Sequence, residues 1–163
     1  MKKLAVVSLS VLTVIAITSS DAFAGTNFAR RYETLLNGAQ QVPDSVDTRT
    51  TGRVILGFSP SLGLLKYSLE VFRGRGVTMA HIHCAAAGEN GPVVASLFSD
   101  GPRDVNDILT KGYLTNDDVM EADCPVTINN LSSLLHALRE GYLYVNVHTE
   151  DNPDGEVRGQ LFH

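Results

Sequence analysis

The run Gly52-Arg53-Val54-Ile55-Leu56-Gly57-Phe58, then Ser59-Pro60-Ser61-Leu62-Gly63, then Leu64-Leu65-Lys66-Tyr67-Ser68-Leu69-Glu70-Val71-Phe72 decides the fold class. In its last third Leu65, Tyr67, Leu69 and Val71 alternate with Lys66, Ser68 and Glu70, the period-two pattern of a half-buried strand. The serine, proline and glycine between the two apolar segments supply hairpin-turn chemistry. Working outward, Tyr32 to Leu36 reads as a first strand, followed by a polar loop from Asn37 to Thr48 that contains Pro43. Val77 to His83 and Pro92 to Phe98 read as two more strands joined by Gly88-Glu89-Asn90-Gly91. Tyr142 to Thr149 and Glu156 to Phe162 form a closing hairpin around Asp151-Asn152-Pro153-Asp154-Gly155. Leu131, Leu134, Leu135 and Leu138 fall on one face at helical spacing, with Asn129 or Asn130 to cap the start and Gly141 to suit the C′ position. A shorter helix is expected near Thr115 to Glu121. About seven strands and one substantial helix predict an all-β fold, an antiparallel Greek-key β-sandwich of the superoxide dismutase-like or immunoglobulin-like kind with one helical insertion.

The chain has 163 residues, and residues 1–24 are expected to be a signal peptide. Lys2 and Lys3 precede an apolar run from Leu4 to Thr18, and Ala22-Phe23-Ala24 supplies a small-residue cleavage site. That run is short for a membrane span and no second one follows. Residues 25–163 then form a single domain. Losing Lys2, Lys3 and Asp21 moves the formal net charge from −5 to −6. An acidic, exported chain argues against nucleic acid, which favours a basic face. Periplasmic or secreted localisation fits the cysteines. Cys84 and Cys124 are the only two, and an oxidising compartment favours a disulfide between them. The alternative is a thiolate ligand, since Cys84 directly follows His83.

Three of the five histidines share a pattern. In His81-Ile82-His83 both imidazoles lie on one strand face and the isoleucine on the other. If Val145 and Val147 take the core face of their strand, Tyr144, Asn146 and His148 take the opposite one. Should the two strands be neighbours, His81, His83 and His148 point outward as a three-imidazole cluster, suited to zinc or copper. The plain reading is a solvated face. His136 lies off the leucine stripe and should face solvent, and the terminal His163 should fray. Glu156 and Arg158 lie two apart on a strand, so they are expected to pair. Their roles are either a structural ion pair or, with Asn146, groups that orient an imidazole. No serine sits in a nucleophile elbow and no glycine run has phosphate-loop spacing.

Leu36 to Pro43, Thr51-Gly52, Ala80 to His83, Asn90 to Val94, Gly141 to Thr149 and Gly155 to Leu161 together resemble the CHRD domain, named after repeats in the animal protein chordin and also found in secreted microbial proteins. The likeness runs from Tyr32 to Phe162. A more distant likeness is to copper/zinc superoxide dismutase, a Greek-key sandwich in which an H-x-H pair and a histidine from a late strand bind copper. That resemblance would put His81, His83 and His148 in those three places and Cys84 near the disulfide position. The metal-bridging histidine and the zinc loop of that enzyme have no counterpart here. The likenesses therefore imply an exported metal-binding protein, with copper preferred to zinc for an all-imidazole site. Binding is expected to weaken as pH falls through about 6, because imidazole must be neutral to ligate. Two alternatives stand beside it: a copper-dependent oxidoreductase handling superoxide, with Arg158 guiding the anion, and an extracytoplasmic interaction module using the Asn37 to Thr48 loop and the Asp100 to Asn106 segment. A protein partner and homo-oligomerisation are left open.

Overall fold

The structure is a computed structural model that describes Phe28 and residues 30–162, so the expected signal peptide and His163 lie outside the described residues. The elements run β1 (Arg30–Asn37), β2 (Thr51–Phe58), β3 (Leu65–Cys84), β4 (Val93–Phe98), β5 (Arg103–Leu114), the short β6 (Ala122–Asp123) and β7 (Thr127–Ile128), α1 (Leu131–Arg139), β8 (Leu143–Thr149) and β9 (Val157–Leu161). No described helix is long and apolar enough to cross a membrane.

The main sheet follows the order β2-β1-β9-β8-β3, and β3 also pairs with β2, so five antiparallel strands close on themselves. This corrects the expected Greek-key sandwich: the sheet is a barrel-like ring in place of two facing sheets. The long third strand closes the ring. Leu65–Phe72 pairs with β2 and Val77–Cys84 with β8, while β5 and β4 add to β3 as well. The sequence suggests separate strands at Leu64 to Phe72 and Val77 to His83, with Arg73-Gly74-Arg75-Gly76 between them. Those residues instead form bulges, with register shifts on both sides of Gly74 and positive φ at Arg73 and Gly76. Bulges bend a strand and sharpen its twist without ending it.

The core draws on every large element. Val54, Leu56, Leu65, Leu69, Ala80, Ile82, Val145, Val147 and Val157 meet the helical stripe Leu131, Leu134, Leu135 and Leu138 in one cluster. Asn130 caps α1 by accepting from the Ser133 amide at 2.9 Å, and Gly141 adopts φ 76° just after it. The expected helix near Thr115 shrinks to a 3-10 turn at Asn116–Asp118. β5 is a strand the sequence reading does not anticipate: it lacks a clear period-two apolar pattern, and its mostly exposed face with Arg103, Asp104, Asp107 and Lys111 suits a protected outer strand.

Cys84 and Cys124 form a disulfide spanning 40 residues, which ties the β6–β7 connection to the end of β3. In the chain-entropy model a loop of that size stabilises the fold by about 4 kcal/mol. Cys84 sits on the core side of β3 with Ala80 and Ile82, so it is not a thiolate beside His83.

Candidate metal centre

Strand alternation builds the site. With Ala80, Ile82 and Cys84 committed to the core, Met79, His81 and His83 are left on the other face of β3. β8 pairs in matching phase, Met79 opposite His148, His81 opposite Asn146 and His83 opposite Tyr144, while Val145 and Val147 are fully buried. The two strands are neighbours, and His81, His83 and His148 come together. The imidazoles are not on a solvated face, however. His83 and His148 are only 9% and 8% exposed, because the 88–91 and 151–155 turns fold over them.

Those turns also set the imidazole tautomers. His83 Nδ1 lies 3.0 Å from the Gly91 carbonyl, and His148 Nδ1 lies 2.8 Å from the Pro153 carbonyl. A carbonyl only accepts, so both Nδ1 atoms carry the proton and both Nε2 atoms keep a free lone pair. His83 Nε2 is buried without a hydrogen-bond partner among the described residues. His148 Nε2 sits 3.3 Å from His81 Nδ1, so in the metal-free protein His81 donates to it. The ring centroids are 5.1, 5.7 and 6.2 Å apart, and one ligating atom from each residue lies within 4.8 Å of the others. Three converging neutral nitrogens fit the chemistry of a copper or zinc ion.

Burial and neighbouring charge favour the neutral form of His81 and His83. Desolvation, then repulsion from His148 and His83, pushes the His81 pKa down to about 4. Burial also lowers that of His83, against the opposing pull of the Gly91 carbonyl and with help from His148 and Arg158.

Behind His83 lies a stack that the sequence reading missed. Tyr144 packs parallel to the imidazole, with centroids 4.8 Å apart and planes 11° from parallel. The Arg158 guanidinium sits over Tyr144, 3.6 Å from its centroid. Arg158 is 2% exposed and donates to the Glu89 carbonyl at 2.7 Å and to Asn90 Oδ1 at 3.0 Å. It thus clamps the turn whose Gly91 carbonyl orients His83, and the Tyr144 hydroxyl accepts from the Gly91 amide at 3.2 Å.

The family comparison bears on this arrangement. A model of the CHRD domain matches residues 32–161, well over half of the chain. The chain belongs to the CHRD-domain family. No curated protein and no solved structure matches it.

Within this CHRD domain the expected Glu156–Arg158 ion pair is not found among the described residues. Glu156 precedes β9 and accepts from Thr48 Oγ1 at 2.6 Å, while Arg158 turns to the 88–91 turn. Asn146, on the same face as the imidazoles, ties loops together: it accepts from Gln41 Nε2 at 2.9 Å and donates to the Asp154 carbonyl at 3.4 Å. Gly155, at φ 126°, lies so close to the Asn146 amide that a Cβ would collide with it. The Asn37 to Thr48 loop of the domain docks beside the site through Gln41 and Thr48. His136 is exposed on α1, 4.0 Å from Glu140.

Proposed function

We propose that this CHRD-domain protein is an exported metal-binding protein that holds one copper ion through His83 Nε2, His148 Nε2 and His81 Nδ1, the last freed by a shift of its proton to Nε2. The supporting observation is the orphaned His83 Nε2, a buried lone pair aimed at two other imidazole nitrogens. Leaving such a group unpaired costs about 1–3 kcal/mol, which a bound cation offsets. Carbonyl locks on two of the rings are the usual outer arrangement of metal-ligating histidines. Copper is favoured over zinc because imidazole donors follow the Irving–Williams order. With the His81 pKa pushed down to about 4 and that of His83 also depressed, proton competition at these two ligands begins lower than the pH near 6 read from ordinary imidazoles.

Export rests on the expected signal peptide at residues 1–24, the disulfide and the family, and residues 25–163 serve as one domain. Periplasmic or secreted copper binding follows from these together. The oxidoreductase alternative loses its anion guide, since Arg158 is buried under Tyr144 and donates to the 88–91 turn. Titrating metal-free protein with Cu(II) and Zn(II) tests the proposal. One ion per chain is expected, lost in the His81→Ala/His148→Ala double variant. An unchanged stoichiometry in that variant would refute it.

A further inference from the structure

Resting on the three-imidazole reading above, we infer that Met79 is a fourth ligand, a thioether that makes the site selective for Cu(I). Met79 stands two residues before His81 on the same face of β3 and directly opposite His148 on β8. Directly opposed residues of an antiparallel pair hold their Cβ atoms about 4.5–5.5 Å apart. An unbranched side chain with three rotatable bonds spans such a gap. His83 lies at the other end of the cluster, next to Tyr144. Met79 therefore stands at the end of the cluster away from His83 and Tyr144, beside His81 along β3 and across from His148.

Its exposure agrees with a place outside the core. Met79 is 39% exposed although its neighbours Ala80 and Ile82 are fully buried, so its side chain has no place in the core. A partly exposed apolar side chain gains little from burial, but a thioether sulfur is a soft donor suited to Cu(I). The charge balance agrees. All four donors would be neutral, and the desolvation of an ion rises steeply with its charge, so a monovalent ion is penalised least where no carboxylate joins the ligands. Zn(II) does not gain comparably from a thioether, and this separates the two metals.

The test compares wild-type protein with Met79→Leu, a swap of similar volume at a partly exposed position, under anaerobic competition with a chromophoric Cu(I) chelator and, separately, a Zn(II) indicator. The expected result is on the order of tenfold weaker Cu(I) binding in the variant with Zn(II) binding nearly unchanged. X-ray absorption of the Cu(I)-loaded wild type should show a sulfur scatterer at about 2.3 Å that the variant lacks. Equal Cu(I) affinity in both proteins, with nitrogen scatterers only, would overturn the assignment of Met79 and leave the three histidines standing. Wild-type protein that binds neither ion would overturn both readings together. Matching thermal unfolding of the two metal-free proteins shows that any lost affinity is not lost fold.

Discussion

Replacing Arg158 with methionine removes a buried cation that has no carboxylate partner among the described residues, and the structure sets the size of the effect. Four favourable contacts go: donation to the Glu89 carbonyl at 2.7 Å, to Asn90 Oδ1 at 3.0 Å and, more weakly, to Gln160 Oε1 at 3.4 Å, and the guanidinium over Tyr144 at 3.6 Å. Hydrogen bonds from a charged group contribute about 1.5–3 kcal/mol each, and a desolvated cation–π contact about 2 kcal/mol. Against them stands the desolvation of the guanidinium, several kcal/mol, which methionine does not incur. The net expected loss is about 2–3 kcal/mol in urea unfolding of the disulfide-intact, metal-free protein. Metal affinity should fall as well, on the order of tenfold, because the 88–91 turn that presents the Gly91 carbonyl to His83 is released. Arg158→Lys, which retains charge but not the planar fork, should recover only part of either loss. A variant as stable as the wild type, with unchanged metal affinity, would show that the guanidinium does not position His83.

Removing both cysteines by Cys84→Ala/Cys124→Ala should cost about 4 kcal/mol, read as a lower urea midpoint, since the bridge closes a 40-residue separation. Leu134→Ala on the buried face of α1 should cost about 2–5 kcal/mol by the same assay, and a change below about 1 kcal/mol would mean the helix is not part of the common core. Acid should destabilise the metal-free protein through His81. Its folded pKa, about 4, lies below the unfolded value of 6.5, so the unfolded chain binds more protons between those limits. The stability contributed by the neutral ring is intact above about pH 6.5 and is lost by about pH 4. Solvent screening of the partly exposed ring limits the effect to about 1–2 kcal/mol. His81→Gln should flatten that pH slope, and an unaltered slope would refute the assignment.

Much of the site could be read from alternation alone. Once Ile82, Val145 and Val147 are taken as core, the positions of His81, His83 and His148 follow, and Tyr144 could have been placed beside His83 by the same count. The backbone carbonyls of Gly91 and Pro153 could not, because they belong to turns whose path only the folded chain reveals. The expected Glu156–Arg158 pair failed for a related reason. Sharing a strand face leaves open which neighbour a long side chain reaches, and the Asn90 turn and Thr48 were nearer partners. For the fold, most of the strands and the capped helix were legible from their periodicity, β5 excepted. Closure was not: Arg73-Gly74-Arg75-Gly76 carries turn-like residues, yet its bulges let one strand pair with β2 and β8 and close the ring.

The most direct test of the central claim is the electron-paramagnetic-resonance spectrum of metal-free protein loaded with one equivalent of Cu(II), recorded alongside the His81→Ala, His83→Ala and His148→Ala variants. A single species is expected, with hyperfine structure from three imidazole nitrogens in the wild type and two in each variant. A wild-type spectrum indistinguishable from all three variants, or from free aqueous Cu(II), would contradict it.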